Sequence, residues 1–279
     1  MSAKRPPFVV AAVQMRSGDD VERNLAAADR LAAEAARRGA RMIAFPENAA
    51  YLRAEGTGRP PAGAMGGAIV SRFAAMARRH DAWVLLGSMA EAVPHSRKVF
   101  NTSLLLTPRG EVAAVYRKMH LFDVAIAGKA RFRESRVVRA GDRTATAATP
   151  LGLFGLSICY DLRFPELYRH LALAGAQVLF VPSAFTAYTG RAHWTALLRA
   201  RAIENLAWVV APAQWGEHHE GRRSYGHTCV IDPWGRVVAQ RPSGTGVVLA
   251  RIDPSVSDRL RTGLPALSHV REELFAPGR

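Results

Sequence analysis

Cys159 sits where an apolar run, Leu153-Phe-Gly-Leu-Ser-Ile-Cys159, gives way to Tyr-Asp-Leu-Arg-Phe-Pro165. A strand ending at a cysteine, with a proline set to open a helix, puts the thiol on a strand-to-helix turn. A nucleophile projects freely there, and nearby backbone N–H groups can hold an oxyanion. A free thiol has a pKa near ~8.5, so it needs a group that takes its proton. Two other segments end apolar runs with charge: Glu47 in Phe45-Pro-Glu-Asn48, and Lys118 in Tyr116-Arg-Lys-Met-His-Leu-Phe-Asp123. Taken singly, Glu47 reads more readily as a solvated cap and Lys118 as part of a basic-aromatic loop than as catalytic groups. Cys229, inside the run Thr228–Ile231, reads as a buried, inert thiol.

Other chemistries lack their residues. Gly155-Leu-Ser-Ile-Cys159 starts like a serine-hydrolase elbow but carries Cys where the last Gly belongs. The sequence has no Gly-rich dinucleotide fingerprint and no phosphate loop ending in Gly-Lys-Ser/Thr. His218-His219-Glu220 has no partner His at helical spacing, so a solvated loop is favoured over a zinc site.

The elements that must position these groups are legible as strongly apolar runs alternating with helical patterns. Strands are expected at 8–15, 41–46, 82–90, 102–107, 112–116, 153–160, 177–182, 207–213, 227–231, 236–239 and 246–252. Many are apolar at consecutive positions, as in strands covered on both faces. Helices are expected at 21–38, 68–79, 165–174 and 190–205, the last N-capped by Thr189 and carrying Trp194, Leu197 and Leu198 on one face. Asp232-Pro-Trp-Gly235 reads as a hairpin turn. With no repeat and no linker, the expectation is one α/β domain spanning 1–279, with a polar tail from 265 that packs on a partner subunit.

Glu47, Lys118 and Cys159 in their segments resemble the three signatures of the nitrilase superfamily of carbon–nitrogen hydrolases. Further matching segments include Pro182-Ser-Ala-Phe185, Thr189-Gly-Arg-Ala-His-Trp194, Ser224-Tyr-Gly-His227 and Asp232-Pro-Trp-Gly235. These flanks are most similar to the branch that hydrolyses deaminated glutathione, and next to the ω-amidases. The resemblance implies an αββα sandwich of two mixed sheets with outer helices, and a Glu-Lys-Cys triad acting through a thioester without metal or organic cofactor. It implies Glu47 as base, Lys118 and the Tyr160 N–H at the oxyanion, and Glu134 as a second glutamate that orients the site. Glu134 otherwise reads as a solvated partner of Arg131 or Arg136. Arg163 is expected either to bind a substrate carboxylate or to form a structural salt bridge. Phe185 and Thr186 are expected to contact substrate. Self-association is implied too, with the apolar face of 190–205 and the tail as surfaces. Relatives often follow Leu-Phe-Asp with an acid and a proline, whereas here the stretch is Asp123-Val-Ala-Ile-Ala-Gly128, so this border of the pocket is expected to differ.

Composition agrees with an enzyme of this kind. The chain has 279 residues, 49% of them hydrophobic, which is ample for a core. Two cysteines suit a reducing compartment, and the cytoplasm is expected. The basic-then-apolar start Lys4–Val13 imitates a signal peptide, but it reads better as a first buried strand. No apolar stretch reaches the ~18 residues of a membrane span. The net charge of +15 is mostly scattered arginine, densest from Arg131 to Arg143, which suggests solvated surface or steering of an anionic substrate rather than nucleic-acid binding. The expected activity is hydrolysis of the terminal amide of an α-keto acid, deaminated glutathione first. α-Ketoglutaramate or a carbamoyl compound is the alternative, and a non-catalytic basic binding protein is a remote one.

Overall fold

The computed structural model describes residues 5–54, 57–126, 130–219 and 221–271. The chain first lays down β1 (Phe8–Gln14), α1 (Val21–Arg37), β2 (Met42–Ala44), α2 (Ala68–His80), β3 (Trp83–Ala92), β4 (Val99–Leu106) and β5 (Val112–Arg117). A hairpin of β6 (Asp123–Ile126) and β7 (Ala130–Arg133) follows. Next come β8 (Ala145–Thr149), β9 (Gly152–Leu156), α3 (Pro165–Leu173), β10 (Val178–Phe180), α4 (Ala187–Asn205) and β11 (Trp208–Ala211). The chain then runs through the hairpin of β12 (Trp215–His219) and β13 (Arg222–Tyr225), and on to β14 (Thr228–Ile231), β15 (Val237–Arg241), β16 (Gly246–Ile252) and α5 (Ser255–Gly263).

Two six-stranded sheets result, in the orders β16-β1-β2-β3-β4-β5 and β15-β14-β11-β10-β9-β8. Each has three parallel strands, β1-β2-β3 in one and β9-β10-β11 in the other, flanked by antiparallel ones. Strand periodicity explains why the central strands are apolar at every position. Val10, Ala12, Met42, Ala44 and Leu85 face a core shared with Phe154, Leu156, Val178 and Phe180 of the second sheet. Their neighbours Ala11, Val13, Ile43, Val84 and Leu86 face Leu25, Ala28 and Ala32 of α1 and Phe73 and Ala77 of α2. On the far side, Leu167 and Leu171 of α3 and Trp194, Leu198 and Ala202 of α4 cover the second sheet. This is the αββα sandwich that the resemblance implies.

The expected strands and helices are present with ends shifted by a few residues, and the turn at 232–235 joins β14 to β15, with Gly235 at φ +83°. Several expectations are corrected. α4 begins at Ala187 with Thr186 as its N-cap, so Thr189 lies inside the helix, its hydroxyl 2.7 Å from that of Thr186. Trp194 and Leu198 of the α4 face expected as a partner surface are fully buried against the core, while Tyr188 and Ile203 of the same helix are exposed. His218 and His219 lie on β12 rather than in a solvated loop. His218 Nδ1 is 2.7 Å from Ser17 O and Nε2 2.9 Å from Ser224 Oγ, while His219 Nε2 is 2.8 Å from Leu52 O. Glu220, Ala127 to Lys129 and residues 272–279 of the tail lie outside the described residues.

The elements not foreseen are weak in sequence for physical reasons. β8 is Ala-Thr-Ala-Ala-Thr on a sheet edge, and β6, β7, β12 and β13 are strands of four or five residues, too short for a periodicity to stand out. α5 buries only Ser257 and is held instead by polar contacts. Ser257 Oγ and Arg261 donate to the carbonyl oxygens of Gln177 and Ala176, at 3.3 and 2.6 Å.

Candidate active site

Three connections bring the expected triad together. Glu47 follows β2, and the Phe45 N–H still pairs with Leu85 O at 2.9 Å. The chain then turns because Gly87 on β3 lets it pass at very close range. A Cβ at Gly87 would lie 1.9 Å from Phe45 O and 2.4 Å from Pro46 O. Asn48 completes the turn at φ +57°, its N–H donating to Ser88 Oγ at 2.9 Å. Lys118 leaves β5 pinned on both sides: its N–H donates to Asn101 O at 2.9 Å, and its carbonyl accepts from the Gly141 N–H at 2.8 Å.

Cys159 follows β9 and opens a 3-10 turn, Cys159–Arg163, that leads into α3. Its φ of +50° lies in the left-handed region that non-glycine residues avoid. Such strain costs of order ~1–3 kcal/mol and persists only where the surroundings impose it. The Cys159 N–H donates to Pro182 O at 3.0 Å. Asp161, fully buried, accepts from the Ile158 N–H (2.8 Å), Tyr116 Oη (2.7 Å) and the His120 N–H (3.1 Å), with His120 Nδ1 at 2.8 Å. Both flanks of the turn are therefore tied to the segment that carries Lys118. The His120 ring also stacks on Phe164, the centroids 3.7 Å apart.

Lys118 Nζ lies 3.0 Å from Glu47 Oε1 and 3.1 and 2.9 Å from the two carboxylate oxygens of Glu134. Ala184 N–H donates to Glu47 Oε2 at 2.8 Å, and Phe122 N–H to Glu134 Oε2 at 2.7 Å. Burial alone would raise the pKa of Glu47, yet it falls below the ordinary carboxylate value. The Lys118 ammonium and hydrogen bonds from the Cys159 thiol, Lys118 and the Ala184 N–H outweigh desolvation. For Lys118, burial works against the charge, but Glu134 and then Glu47 hold it well above the usual lysine range. Cys159 is pushed well up, first by burial and then by the negative charge of Glu47, against the pull of Lys118. The resting arrangement is a neutral thiol beside a carboxylate and an ammonium. Cys229 is likewise pushed up, to about 12, by burial.

These groups open on a cavity of about 300 Å³. Glu47, Lys118, Glu134, Cys159, Tyr160, Phe185 and Thr186 all line it. Arg163 does not: its guanidinium lies over the Phe185 and Tyr160 rings, 5.2 and 5.8 Å from their centroids, and donates to His193 Nδ1 at 3.3 Å. Glu134 is bound to Lys118 rather than being a solvated partner of its neighbouring arginines. The β6–β7 hairpin, which holds part of the stretch expected to differ, contributes Phe132 to the wall.

Sequence reasoning missed Asn101, Asp161 and the cavity arginines Arg53, Arg222 and Arg223. Asn101 had a signal, since it is a carboxamide inside a buried run. The arginines had none, because three of many scattered arginines look alike until the fold collects them.

A sandwich of paired mixed sheets, with a glutamate, a lysine and a cysteine converging on one cavity, defines a class. The chain belongs to the carbon-nitrogen hydrolase family, matching it over residues 9–262. Among its relatives, the deaminated glutathione amidase of Synechocystis sp. is 42% identical over 266 residues, covering 94% of this chain and 98% of its own length. That of Homo sapiens is 42% identical over 277 residues, covering 96% of this chain and 83% of its own. The crystal structure of the C. elegans NitFhit protein superposes with a TM-score of 0.89 at 39% identity, over 99% of this chain and 67% of that one. Saccharomyces cerevisiae Nit3 superposes with a TM-score of 0.83 at 28% identity, over 95% and 97% of the two chains.

Proposed function

We propose that this chain is a thiol amidase that removes the terminal amide of an α-keto acid, with deaminated glutathione as the preferred substrate. The observation that carries the reading is the convergence of Glu47, Lys118 and Cys159 on one cavity. Sγ of Cys159 adds to the amide carbonyl carbon as its proton passes to Glu47. The C=O electron pair moves onto oxygen, where the Lys118 ammonium and the Tyr160 N–H meet the negative charge. The Tyr160 N–H belongs to the first turn of a 3-10 helix, whose amides have no acceptor within the helix. The tetrahedral adduct collapses as Glu47 returns the proton to nitrogen, and the amine leaves, which is cysteinylglycine from deaminated glutathione and ammonia from a primary amide such as α-ketoglutaramate. Water, deprotonated by Glu47, then attacks the thioester, and the acid departs as the thiol is restored. Glu134 holds Lys118 through both of its carboxylate oxygens.

The names of the relatives and the cavity wall support this choice of substrate. Beyond the glutamates bound to Lys118, the ionic side chains among the described wall residues are Arg53, Arg222 and Arg223. Guanidinium groups at that end suit a substrate whose carboxylate is remote from the scissile amide. Phe185 and Thr186 would contact the acyl part. α-Ketoglutaramate is the second reading, since it too carries a carboxylate.

Hydrolysis of deaminated glutathione and of α-ketoglutaramate, followed in parallel through the α-ketoglutarate that both yield and with Cys159→Ala as blank, tests the proposal. A kcat/KM at least ~10-fold higher for the tripeptide amide is expected. Turnover retained in Cys159→Ala overturns the thiol mechanism, and preference for α-ketoglutaramate replaces the substrate. Among the described residues no helix is long and apolar enough to cross a membrane. We place the enzyme in the cytoplasm, where the Cys159 thiol stays reduced, as a single domain that self-associates. Light scattering is expected to give a multiple of the 30.3 kDa chain mass, and a 30.3 kDa particle overturns self-association.

A further inference from the structure

Asn101, on β4, is buried yet lies on the cavity wall. It touches the base, the second glutamate and the backbone of the lysine between them. Its Nδ2 donates to Glu47 Oε1 at 2.9 Å and to Glu134 Oε1 at 3.3 Å, and its backbone oxygen accepts from the Lys118 N–H at 2.9 Å. Its Oδ1 is buried without a hydrogen-bond partner. Rotating the amide to satisfy Oδ1 would turn that oxygen toward two carboxylates, so their donor requirement fixes the orientation at the expense of the lone acceptor.

The donors around Glu47 are unequal. Oε1 receives Lys118 Nζ and Asn101 Nδ2, which fill its two acceptor sites, while Oε2 receives the Ala184 N–H. Oε2 is thus the oxygen with a free acceptor site for the Cys159 thiol, which lines the same cavity as this carboxylate. Two carboxylates around one ammonium also carry excess negative charge. A neutral carboxamide bridges them without adding a second cation, which would depress the basicity that proton removal needs.

We propose that Asn101 is a positioning residue of the amidase site. It occupies the second acceptor site of Glu47 Oε1 so that Oε2 faces the thiol, and it ties Glu134 to the opposite side of Lys118. The inference rests on the thiol-amidase reading. The groups that face Glu47 are Asn101 from β4, Lys118 after β5, Cys159 after β9, Glu134 beyond Lys118, and the Ala184 N–H before α4.

Asn101→Leu and Asn101→Asp, compared with the wild type, test it. Removing one such donor is expected to lower kcat by about 10²–10³-fold, with KM changed less than ~3-fold because the carboxamide does not grip substrate. In Asn101→Leu the acid limb of kcat/KM moves to higher pH, since the charged form of Glu47 has lost a hydrogen bond. In Asn101→Asp the loss is larger at neutral pH and recovers partly as the pH falls, because a protonated Asp donates again. The rate of Cys159 alkylation by iodoacetamide at pH 7, which needs no turnover, is expected to fall about ~10-fold in both variants. Wild-type kcat and acid limb in Asn101→Leu overturn the proposal. So does a fall in kcat with an unmoved acid limb and an unmoved alkylation rate, which marks a purely structural part. If Asn101→Leu does not fold, Asn101→Asp, of the same shape as the native side chain, carries the test. Failure of the wild type to hydrolyse either amide refutes the amidase reading alone, because the alkylation comparison still reports on Asn101.

Discussion

At the residue scale the chemistry turns on a thiol that is not already a thiolate. Burial and the Glu47 charge both raise Cys159, so its thiolate fraction is small at neutral pH and grows as pH rises. Iodoacetamide alkylation of Cys159 is therefore expected to accelerate with pH and show no plateau below about pH 9. A plateau near neutrality would mean a preformed thiolate and remove the need for a base. Intact mass should show one adduct, at Cys159, because Cys229 is fully buried on β14. Lys118→Ala is expected to cost at least ~10²-fold in kcat, the scale of one oxyanion donor. It also leaves two buried carboxylates sharing a cavity without their cation. Cys159 stood out by its place on a strand-to-helix turn, whereas Glu47 and Lys118, each at the end of an apolar run, became a triad with it only through family resemblance. Glu134 was legible only through family resemblance, since a glutamate among arginines reads first as a surface ion pair.

At the scale of elements, the site depends on how closely strands approach and how turns are tied. In Gly87→Ala a methyl would meet the backbone oxygens of Phe45 and Pro46 at 1.9 and 2.4 Å, so β3 and the segment leading to Glu47 must separate. Activity is expected to fall by ~10²-fold or more from misplacement of the base alone. Kinetics on the folded variant check this, with circular dichroism confirming the sheet content. Asp161→Ala leaves the Ile158 and His120 N–H groups and Tyr116 Oη without their acceptor. Each buried donor left unpaired costs about 1–3 kcal/mol, so a loss of several kcal/mol is expected from a denaturant melt. The long apolar strands and the amphipathic helices were readable because periodicity reports burial directly. The β6–β7 and β12–β13 ribbons were not, because their strands are only four or five residues long and stand outside the two large sheets.

At the scale of the molecule, acid acts through a few buried groups. His218 is held at about 4, chiefly by burial, against its ordinary 6.5. As pH falls from 6.5 toward 4 the unfolded chain takes up this proton and the folded chain does not, so stability declines over that window. The scale is on the order of 3 kcal/mol. Glu91, bound by Arg117 at 2.7 Å through each oxygen, is lowered despite burial that would raise it. Its contribution is present above the ordinary 4.5 and is lost as pH falls through its folded value. Melting temperature should therefore drop in two stages, and His218→Asn should flatten the first. Equal slopes between pH 6.5 and 4 in the two proteins would assign that stage elsewhere.

The strand order carries one more consequence. β1 lies between β2 and β16, with Phe8 opposite Ile252. During synthesis the earliest strand must wait for almost the last one before its open edge is covered. A ribosome-bound chain halted before residue 246 would expose that edge as a template for other chains. Nascent chains of this protein should thus be chaperone clients until β16 has emerged, and stop codons placed before residue 246 should yield aggregates rather than a smaller working enzyme.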